Sequence, residues 1–249
     1  MSIAIFCALN EEIKPLLKQM VVRSTVKERG RTLYRARMGA EEIYLLKSGP
    51  GKKNAQRAVH AFLEQYQPAH VFICGFAGAL SDDLAVGDLL LVDRVHSKEE
   101  DITKELLCDR ALFEQFQKMS YHQTSSYQGT LLTVPKVVRY AREKKNLFEK
   151  EGALAVDMES FYMMKIIADK KVPCNVVRVI SDTSHENLDF DFNRFLKEGG
   201  GLRIFPLLAH CIKNPKKFKS LFRLSRTARR ASNNLANFMS QILYQLTIK

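Results

Sequence analysis

The sequence predicts an α/β protein, built as a single three-layer domain in which a mixed, mostly parallel sheet lies between helices. Two observations favour this class. Apolar runs rich in β-branched residues alternate along the chain with segments of helical periodicity, as in folds with helices on both faces of a sheet. The chain also has 249 residues, of which 46% are apolar, so it can bury one large core.

The individual elements follow from local patterns. A buried strand is expected over residues 3–9, and Asn10 followed by Glu11 and Glu12 provides the cap and acidic first turn of a helix. Apolar runs between glycine-rich or polar turns predict further strands at 34–38, 43–47, 70–74, 89–92, 129–134 and 175–180. Helical periodicity predicts further helices at 54–65, 106–119, 136–148 and 159–168.

The positive charge of the chain is concentrated at its C-terminal end. The net charge is +12, yet residues 199–249 hold ten Lys or Arg and no Asp or Glu, which leaves 29 basic and 27 acidic residues elsewhere. We therefore divide the chain into a near-neutral domain at 1–198, which carries the chemistry, and a basic helical C-terminal extension at 199–249.

Cysteine usage and hydropathy limit the class of protein. The five cysteines are scattered, with no Cys-x-x-Cys pair and no nearby His at metal-ligand spacing, so we expect buried free thiols and no metal. No apolar run approaches the roughly 20 residues that span a bilayer, and the N-terminus lacks the basic region of a signal peptide. We expect a cytoplasmic protein without a cofactor.

Candidate chemistry lies at predicted strand ends, where open α/β sheets bind ligands. The ends carry Glu12, the loop 48–51 (Ser-Gly-Pro-Gly), the turn 75–78 (Gly-Phe-Ala-Gly) and the pair Ser181-Asp182. Each has a plain structural reading, because an acidic residue suits a helix start, glycines suit turns and Asp suits a turn cap. In the functional reading Glu12 activates water and the loop 48–51 binds an anion, although its spacing matches neither a P-loop nor Gly-x-Gly-x-x-Gly.

A second acidic cluster, Asp157-Met158-Glu159-Ser160, stands where a short apolar run turns into a helix. Taken in order, these segments resemble the family of purine nucleoside phosphorylases and methylthioadenosine/S-adenosylhomocysteine nucleosidases. The resemblance runs from Met1 to about Leu196 and rests on the motifs IAIFCALNEE, SGPGKKNA, GFAGAL, VGD, AVDMES, VRVISD and FNRFL. It implies a nucleoside phosphorylase-like fold and an enzyme that cleaves an N-glycosidic bond.

The resemblance also implies roles for individual residues. Glu159 matches the carboxylate that binds the ribose 2′ and 3′ hydroxyls, and Met158 the residue that packs against the sugar. Asp182 matches the general acid at the base, and Glu12 the carboxylate that activates water. Ser181 matches a hydroxyl that supports the acid, and Arg178 lies on the strand that leads to it. The rest of the implied substrate-binding set is Asp157, Phe76, Ala77, Gly78 and Val137.

The chain departs from the family pattern in three places. Val137 stands where nucleosidases place an aromatic ring against the purine, so the preference for adenine is open. Phe76 replaces a small hydroxyl residue, and Phe161 and Tyr162 replace small residues after the acidic cluster. The two aromatic residues indicate either tighter helix packing or an enlarged apolar wall of the site, and packing is the favoured reading.

The predicted chemistry is acid-assisted departure of the base. Breaking the C1′–N9 bond develops positive charge on the ribose and negative charge on the purine, so a carboxyl group that protonates N7 aids departure, as acid and base residues do in glycoside hydrolysis. Water is favoured as the nucleophile because a carboxylate at Glu12 repels phosphate, and phosphorolysis, with phosphate as co-substrate, stays the alternative. The family commonly forms dimers or larger rings, so a homodimer is expected.

The C-terminal extension bears on the substrate. Its sequence places Phe218, Leu221, Phe222 and Ser225 on one helical face, the stripe at 218–225, and basic residues on another, as in helices that lie on anionic membranes. A second apolar stripe at 235–246 suits docking or a dimer contact. A closing helix that packs on the domain, with a solvated basic face, is the favoured reading of the extension. With GGLR before a helix that starts PKK, and ARRAS further on, the extension resembles a branch of the family associated with hopanoid lipid synthesis. This resemblance implies a lipid-linked adenosine as substrate and peripheral contact with the inner membrane face.

Two other possibilities stay open. Methylthioadenosine or S-adenosylhomocysteine is the alternative substrate. A catalytically silent protein that binds nucleosides, membranes or nucleic acid on the same fold is the alternative function, although the extension shows few of the interleaved aromatic or base-reading residues expected of a nucleic-acid binder.

Overall fold

The computed structural model describes residues 2–28, 30–39, 41–99, 102–117, 124–188 and 215–247. The strands are β1 Ser2–Cys7, β2 Val21–Glu28, β3 Arg31–Met38, β4 Glu41–Lys47, β5 His70–Ala79, β6 Leu89–Glu99, β7 Ile102–Leu107, β8 Ser126–Thr133, β9 Ala155–Asp157 and β10 Cys174–Asp182. The helices are α1 Asn10–Leu17, α2 Lys52–Leu63, α3 Arg110–Gln117, α4 Ala141–Glu151, α5 Ser160–Asp169 and α6 Pro215–Thr247.

The ten strands form one mixed sheet that partly closes on itself. β5 pairs with β1, β9 and β10, and the order β5-β10-β6-β8-β9 returns to β5, so these five strands make a ring. From β5 the sheet continues through β1, β4, β3 and β2. The β4-β1-β5-β10 centre is parallel, which brings the carboxyl ends of these four strands to one edge.

Helices cover both faces of the sheet and create two large buried clusters. One cluster packs α2 and α5 on the sheet and includes Phe62, Phe161 and Met163. The other packs α1, α3 and α6 on the opposite face and includes Ile13 and Phe238. The predicted three-layer α/β domain with a mixed sheet is confirmed.

The chain departs from the predicted elements in four places, one of which is the start of α4 at Ala141 rather than at residue 136. Residues 102–107 form β7, which pairs with β6, although residues 106 and 107 were predicted to begin a helix at 106–119. Helix α3 begins only at Arg110. Just before it, Asp109 Oδ1 accepts a hydrogen bond of 3.0 Å from the Leu112 amide. β2 was not predicted because its exposed side chains give no apolar pattern. Gly75 does not end β5 but pairs with Arg178 within it.

The C-terminal half of α6 packs on the domain. The side chains of Leu235, Phe238, Met239, Ile242 and Leu243 are at most 2% exposed, and α6 contacts α1, β5 and β10. The second predicted apolar stripe therefore docks on its own domain. Arg226, Arg229 and Arg230 remain exposed, whereas the predicted stripe at 218–225 and the boundary at 198/199 lie outside the side chains that the structure describes.

Two further expectations concern the described residues. Cys7, Cys74, Cys108 and Cys174 are free and buried, as predicted, and Cys211 lies outside the described ranges. Among the helices that the structure describes, none combines the length and apolarity needed to cross a membrane.

Candidate active site

The parallel centre of the sheet gathers the predicted site residues at one edge. The helix after β1 supplies Glu12, the loop after β4 supplies Gly51, and the end of β10 supplies Asp182. Glu159 arrives from the β9–α5 junction. Hydrogen bonds join these segments directly, so the four strand ends and the acidic cluster converge.

Glu12 is held by backbone amides from two elements. Its Oε2 atom accepts bonds from the amides of Ala8 and Leu9 at 2.8 and 2.7 Å, and its Oε1 atom accepts one from the Phe76 amide at 2.9 Å. The side chain is only 4% exposed. Burial raises the pKa of Glu12 above its ordinary value, against the lowering effects of the Arg178 charge and these amide bonds.

The structural reading of Glu12 holds in the folded chain, and its activation of water stays a prediction. The carboxylate satisfies amides at the start of α1, as an acidic residue in a first helical turn does. A carboxylate offers about four acceptor sites, and three are used here, so one remains on Oε1 for a water molecule.

Glu159 lies opposite the loop 48–51. Its Oε1 atom accepts a bond of 2.6 Å from the Gly51 amide, and the side chain is 7% exposed. Burial raises the pKa of Glu159 to about 8, and the negative charge of Asp157 adds to this, while Arg178 and the Gly51 amide act in the opposite direction. The amide that an anion would use in this loop is already bound to Glu159.

Asp157 and Arg178 form a buried ion pair behind the carboxylates. Arg178 Nη2 binds Asp157 Oδ2 and also donates to Ser160 Oγ at 2.7 Å. Asp157 Oδ2 accepts a hydrogen bond of 2.8 Å from the Ser160 amide, and its Oδ1 accepts one of 2.5 Å from the Thr133 hydroxyl. This pairing fixes the β9–α5 junction and hence the position of Glu159.

Arg178 also interacts electrostatically with the carboxylates of Glu12 and Glu159. Burial alone would lower the pKa of the Arg178 guanidinium, but the charges of Asp157, Glu12 and Glu159 together raise it. Its Nη1 atom also donates to the Phe76 carbonyl at 3.4 Å. Arg178 thus stays charged between three acidic groups, where it acts on their positions and electrostatics.

Gly75 gives this arrangement its space. A Cβ atom at residue 75 would lie 2.3 Å from Arg178 Nη1 and 2.6 Å from Glu12 Oε1. Only a residue without a side chain leaves room for both groups beside β5. The glycine predicted to mark a turn instead marks the close approach of two charged side chains.

Asp182 lies at the end of β10 with two polar partners. Its Oδ1 atom accepts the Ser181 hydroxyl at 2.6 Å, and its Oδ2 atom binds Lys144 Nζ at 2.5 Å. Ser181 Oγ also lies 3.2 Å from the Ala77 carbonyl. Gly78 passes close by, since a Cβ there would lie 3.0 Å from Asp182 Oδ2. Ser181, Ala77 and Gly78 therefore surround the predicted acid.

Sequence reasoning missed Lys144 and Thr133. Lys144 is fully buried on α4, within a lysine-rich helix whose pattern gives no sign that one lysine points inward. Thr133 ends β8. Its hydroxyl donates a hydrogen bond to Asp157 and accepts one of 3.1 Å from the Phe161 amide. The only signal for Thr133 is a hydroxyl residue at a strand end.

The residues expected to contact the base and the sugar lie in two different surroundings. Met158 and Phe76 are half-buried. Val137 lines a cavity of about 710 Å³ beside α4, together with Val134, Pro135, Lys136 and Tyr140. Phe161 and Tyr162 are buried at 4% and 3% exposure in the core under α5, which supports the packing interpretation.

A sequence model of the phosphorylase superfamily matches residues 2–213. The chain belongs to the phosphorylase superfamily. The resemblance read from the sequence motifs is thereby confirmed at the level of the family, while the hopanoid-associated branch stays a prediction.

Two nucleosidases are among the proteins that this chain resembles. The aminodeoxyfutalosine nucleosidase of Campylobacter jejuni is 26% identical over 86% of this chain and 99% of its own length. The 5′-methylthioadenosine/S-adenosylhomocysteine nucleosidase of Shewanella loihica is 25% identical over 84% of this chain and 100% of its own length.

Two solved structures share the fold. The futalosine hydrolase of Helicobacter pylori superposes with a TM-score of 0.78 at 18% identity, covering 98% of both chains. A point mutant of the H. pylori nucleosidase with 5′-methylthioadenosine in its active site superposes with a TM-score of 0.76 at 18% identity, again over 98% of both chains.

Proposed function

We propose that this chain is a purine nucleosidase that hydrolyses the N-glycosidic bond of a 5′-substituted adenosine and releases adenine. The observation that carries the proposal is the convergence of Glu12, Glu159 and Asp182, each in a different polar environment, at one edge of the parallel sheet. The nucleosidase names of the similar superfamily members support the same reaction.

In the proposed mechanism the three carboxyl groups divide the work. Asp182 gives a proton to N7 as the C1′–N9 bond breaks, so the purine leaves as a neutral base. Glu159, once ionised, accepts hydrogen bonds from the vicinal ribose hydroxyls and stabilises the positive charge that develops on the sugar. Glu12 uses its remaining acceptor site to orient the attacking water and to take its proton.

Three contacts support water over phosphate as the nucleophile. The Gly51 amide is bound to Glu159, and the Arg178 guanidinium is bound to Asp157 and Ser160. Glu12 adds negative charge where a phosphate would have to lie. Phosphate binding needs free N–H donors and cations, and these donors are already engaged.

The test is a direct assay for free base. The purified protein is incubated with 5′-methylthioadenosine, S-adenosylhomocysteine and aminodeoxyfutalosine, with and without inorganic phosphate, and adenine is measured by chromatography. We expect phosphate-independent release of adenine from at least one substrate and a loss of about 10²-fold or more in kcat for Glu12→Gln. Absence of release from every nucleoside would leave the silent binding protein as the better description.

We also propose that the basic extension brings the enzyme to anionic membranes, where a lipid-linked adenosine of the hopanoid type would be its substrate. Ten basic and no acidic residues in 199–249 support this, as do the exposed Arg226 and Arg229 on α6. Sedimentation with phosphatidylglycerol vesicles, compared with phosphatidylcholine vesicles, tests the contact. Equal amounts of protein in both pellets would refute it.

We propose a homodimer as the assembly, on the family resemblance. Light scattering coupled to size-exclusion chromatography measures the mass of the particle directly, against the 28.5 kDa of one chain. A mass of one chain across the concentration range would refute the dimer.

A further inference from the structure

The chain has no aromatic ring at residue 137 against which a purine could stack. The family resemblance places Val137 where nucleosidases carry such a ring, and a valine side chain offers no flat face to a base. Stacking on an aromatic side chain holds a nucleobase strongly, because every base has a π-face. Another flat side chain in the same cavity would be able to take over this contact.

The cavity that Val137 lines also carries an exposed aromatic ring. Tyr140 is 46% exposed and borders the same space of about 710 Å³. Val134, Val138 and Leu147 give the cavity an apolar wall, and all three pack on a small buried cluster. Cavities of about 300–1,000 Å³ with apolar walls and a few polar groups are typical of small-molecule sites. The Tyr140 ring therefore borders a space of ligand size.

The residues before and after Tyr140 are bound to the segment that follows β10. The Arg139 carbonyl accepts a hydrogen bond of 2.9 Å from the Leu188 amide. The Ala141 amide donates one of 2.8 Å to Asn187 Oδ1. These two bonds hold the backbone of Tyr140 against the same stretch of chain that begins at the predicted acid.

One helical turn further on, Lys144 joins α4 to that acid. Lys144 Nζ binds Asp182 Oδ2 at 2.5 Å, and the Lys144 amide donates to the Tyr140 carbonyl at 3.0 Å. Residues four apart in a helix have Cβ atoms about 5–6 Å apart. Tyr140 therefore begins the helical turn whose last residue holds the carboxyl group that is proposed to protonate N7.

Arg139 gives the ring a charged neighbour. Its guanidinium carbon lies 5.2 Å from the centroid of the Tyr140 ring, within the range of a cation–π contact. Both residues line the cavity. Nucleobases stack on aromatic rings and on guanidinium planes. The pair thus offers a flat wall whose positive charge suits a purine that gains negative charge as the C1′–N9 bond breaks.

We propose that Tyr140 is the base-stacking residue of this chain, in place of the ring that residue 137 lacks, with Arg139 beside it. This inference rests on the proposed nucleosidase function. The purine lies against the Tyr140 ring with its N7 edge toward Asp182, while the ribose reaches Glu159. Stacking tolerates any base, so the ring provides affinity for the purine and leaves the choice of base to contacts at its edges.

The experiment measures two constants, the KM of the nucleoside that the wild type cleaves and the inhibition constant of free adenine. Free adenine has no sugar, so its constant reports contacts to the base alone. We expect Tyr140→Ala to raise both constants by about 10-fold or more, and Tyr140→Phe to recover most of this loss because the ring remains. Phe148, an aromatic residue of the same helix that is 37% exposed and lies outside the cavity lining, is the matched control, and Phe148→Ala should match the wild type.

Alanine at residue 140 keeps the backbone contacts that start α4. The Tyr140 amide donates to Glu143 Oε2 at 3.4 Å, and its carbonyl accepts the Lys144 amide. Thermal unfolding checks that the variant is folded. Tyr140→Leu, which fills similar space without a flat face, replaces Tyr140→Ala in both measurements if the alanine variant unfolds.

Several results would overturn the inference. One is an adenine inhibition constant that stays within about 2-fold of wild type in Tyr140→Ala, and another is an equal loss in Tyr140→Phe, since the hydroxyl rather than the ring would then matter. A change in KM that depends on the 5′ substituent, with adenine inhibition unchanged, would place the 5′ group in this cavity instead.

A wild type that releases no adenine overturns the proposed function, and equilibrium dialysis with labelled adenine then tests the stacking by itself. Weaker binding of adenine by Tyr140→Ala than by the wild type would support a base site on a silent protein. Equal binding by the two proteins, or no binding by the wild type, would overturn this inference as well.

Discussion

Replacing Glu159 with glutamine tests the electrostatics of the site through protein stability. Burial and the neighbouring Asp157 raise the pKa of Glu159 from about 4.5 to about 8. The folded chain therefore holds a proton on this group more tightly than the unfolded chain does. The stability that it contributes is complete below about pH 4.5 and is lost as the pH rises toward 8.

The size of the effect follows from this pKa difference. Each pH unit between the two values costs the folded state about 1.4 kcal/mol, and the slope lessens near pH 8 as the folded group also ionises. Between pH 6 and pH 8 the wild type should lose about 2 kcal/mol from this group alone. Glutamine does not ionise, has nearly the same shape and can keep the bond from the Gly51 amide, so Glu159→Gln should escape that loss.

The assay is urea unfolding of both proteins at pH 6 and pH 8, at one protein concentration because association shifts apparent stability. The free energy of unfolding of Glu159→Gln relative to wild type should rise by about 2 kcal/mol between the two pH values. Glu149→Gln, on the exposed face of α4, is the matched control and should show almost no change. A relative stability that is constant with pH, or that falls, would refute the assignment of a buried carboxyl that is protonated at neutral pH.

Three further predictions concern the acid, the close approach at β5 and the docked helix. Asp182→Asn should lower kcat by about 10² to 10⁴-fold in the adenine-release assay, because asparagine cannot donate the proton, and full activity would exclude Asp182 as the acid. Gly75→Ala should destabilise the chain by about 1–3 kcal/mol in urea unfolding, because its Cβ would meet two side chains at 2.3 and 2.6 Å; a loss below about 0.5 kcal/mol, the size typical of a surface substitution, would contradict this reading. Met239→Ala should lower the free energy of unfolding by about 2–5 kcal/mol, since the Met239 side chain on α6 is 0% exposed. Gln241→Ala, at an exposed position of the same helix, should lower it by less than about 0.5 kcal/mol. Equal losses would mean that α6 is not docked as described.

Local patterns predicted much of the fold and part of the site. The alternation of apolar runs and helical segments gave the layers, since burial of one face at a time imposes periods of 2 and 3.6 residues that any sequence must show. The positions of Glu12, Glu159 and Asp182 at element ends were visible for the same reason. Strand β2 was not predicted because all of its side chains are exposed, and exposed positions do not require alternating apolar residues.

The protonation and pairing of these groups depended on the tertiary structure. Lys144 and Asp182 are 38 residues apart in the chain, and Gly51 and Glu159 are 108 apart. No local period relates such residues, because the sheet order and the packing of α4 bring them together. The same holds for Gly75, whose lack of a side chain matters only because Arg178 and Glu12 approach it from two other elements.

The sequence by itself determined the α/β layers, the family and which acidic residues stand at the strand ends, because these properties are written in short-range periodicity and in motifs. Only the tertiary structure decided that Asp157 is bound to Arg178, that burial raises the pKa of Glu159 to about 8, and that a buried lysine accompanies Asp182. The physical reason is that charge and proton affinity depend on desolvation and on neighbours within a few ångströms, and those neighbours come from distant parts of the chain.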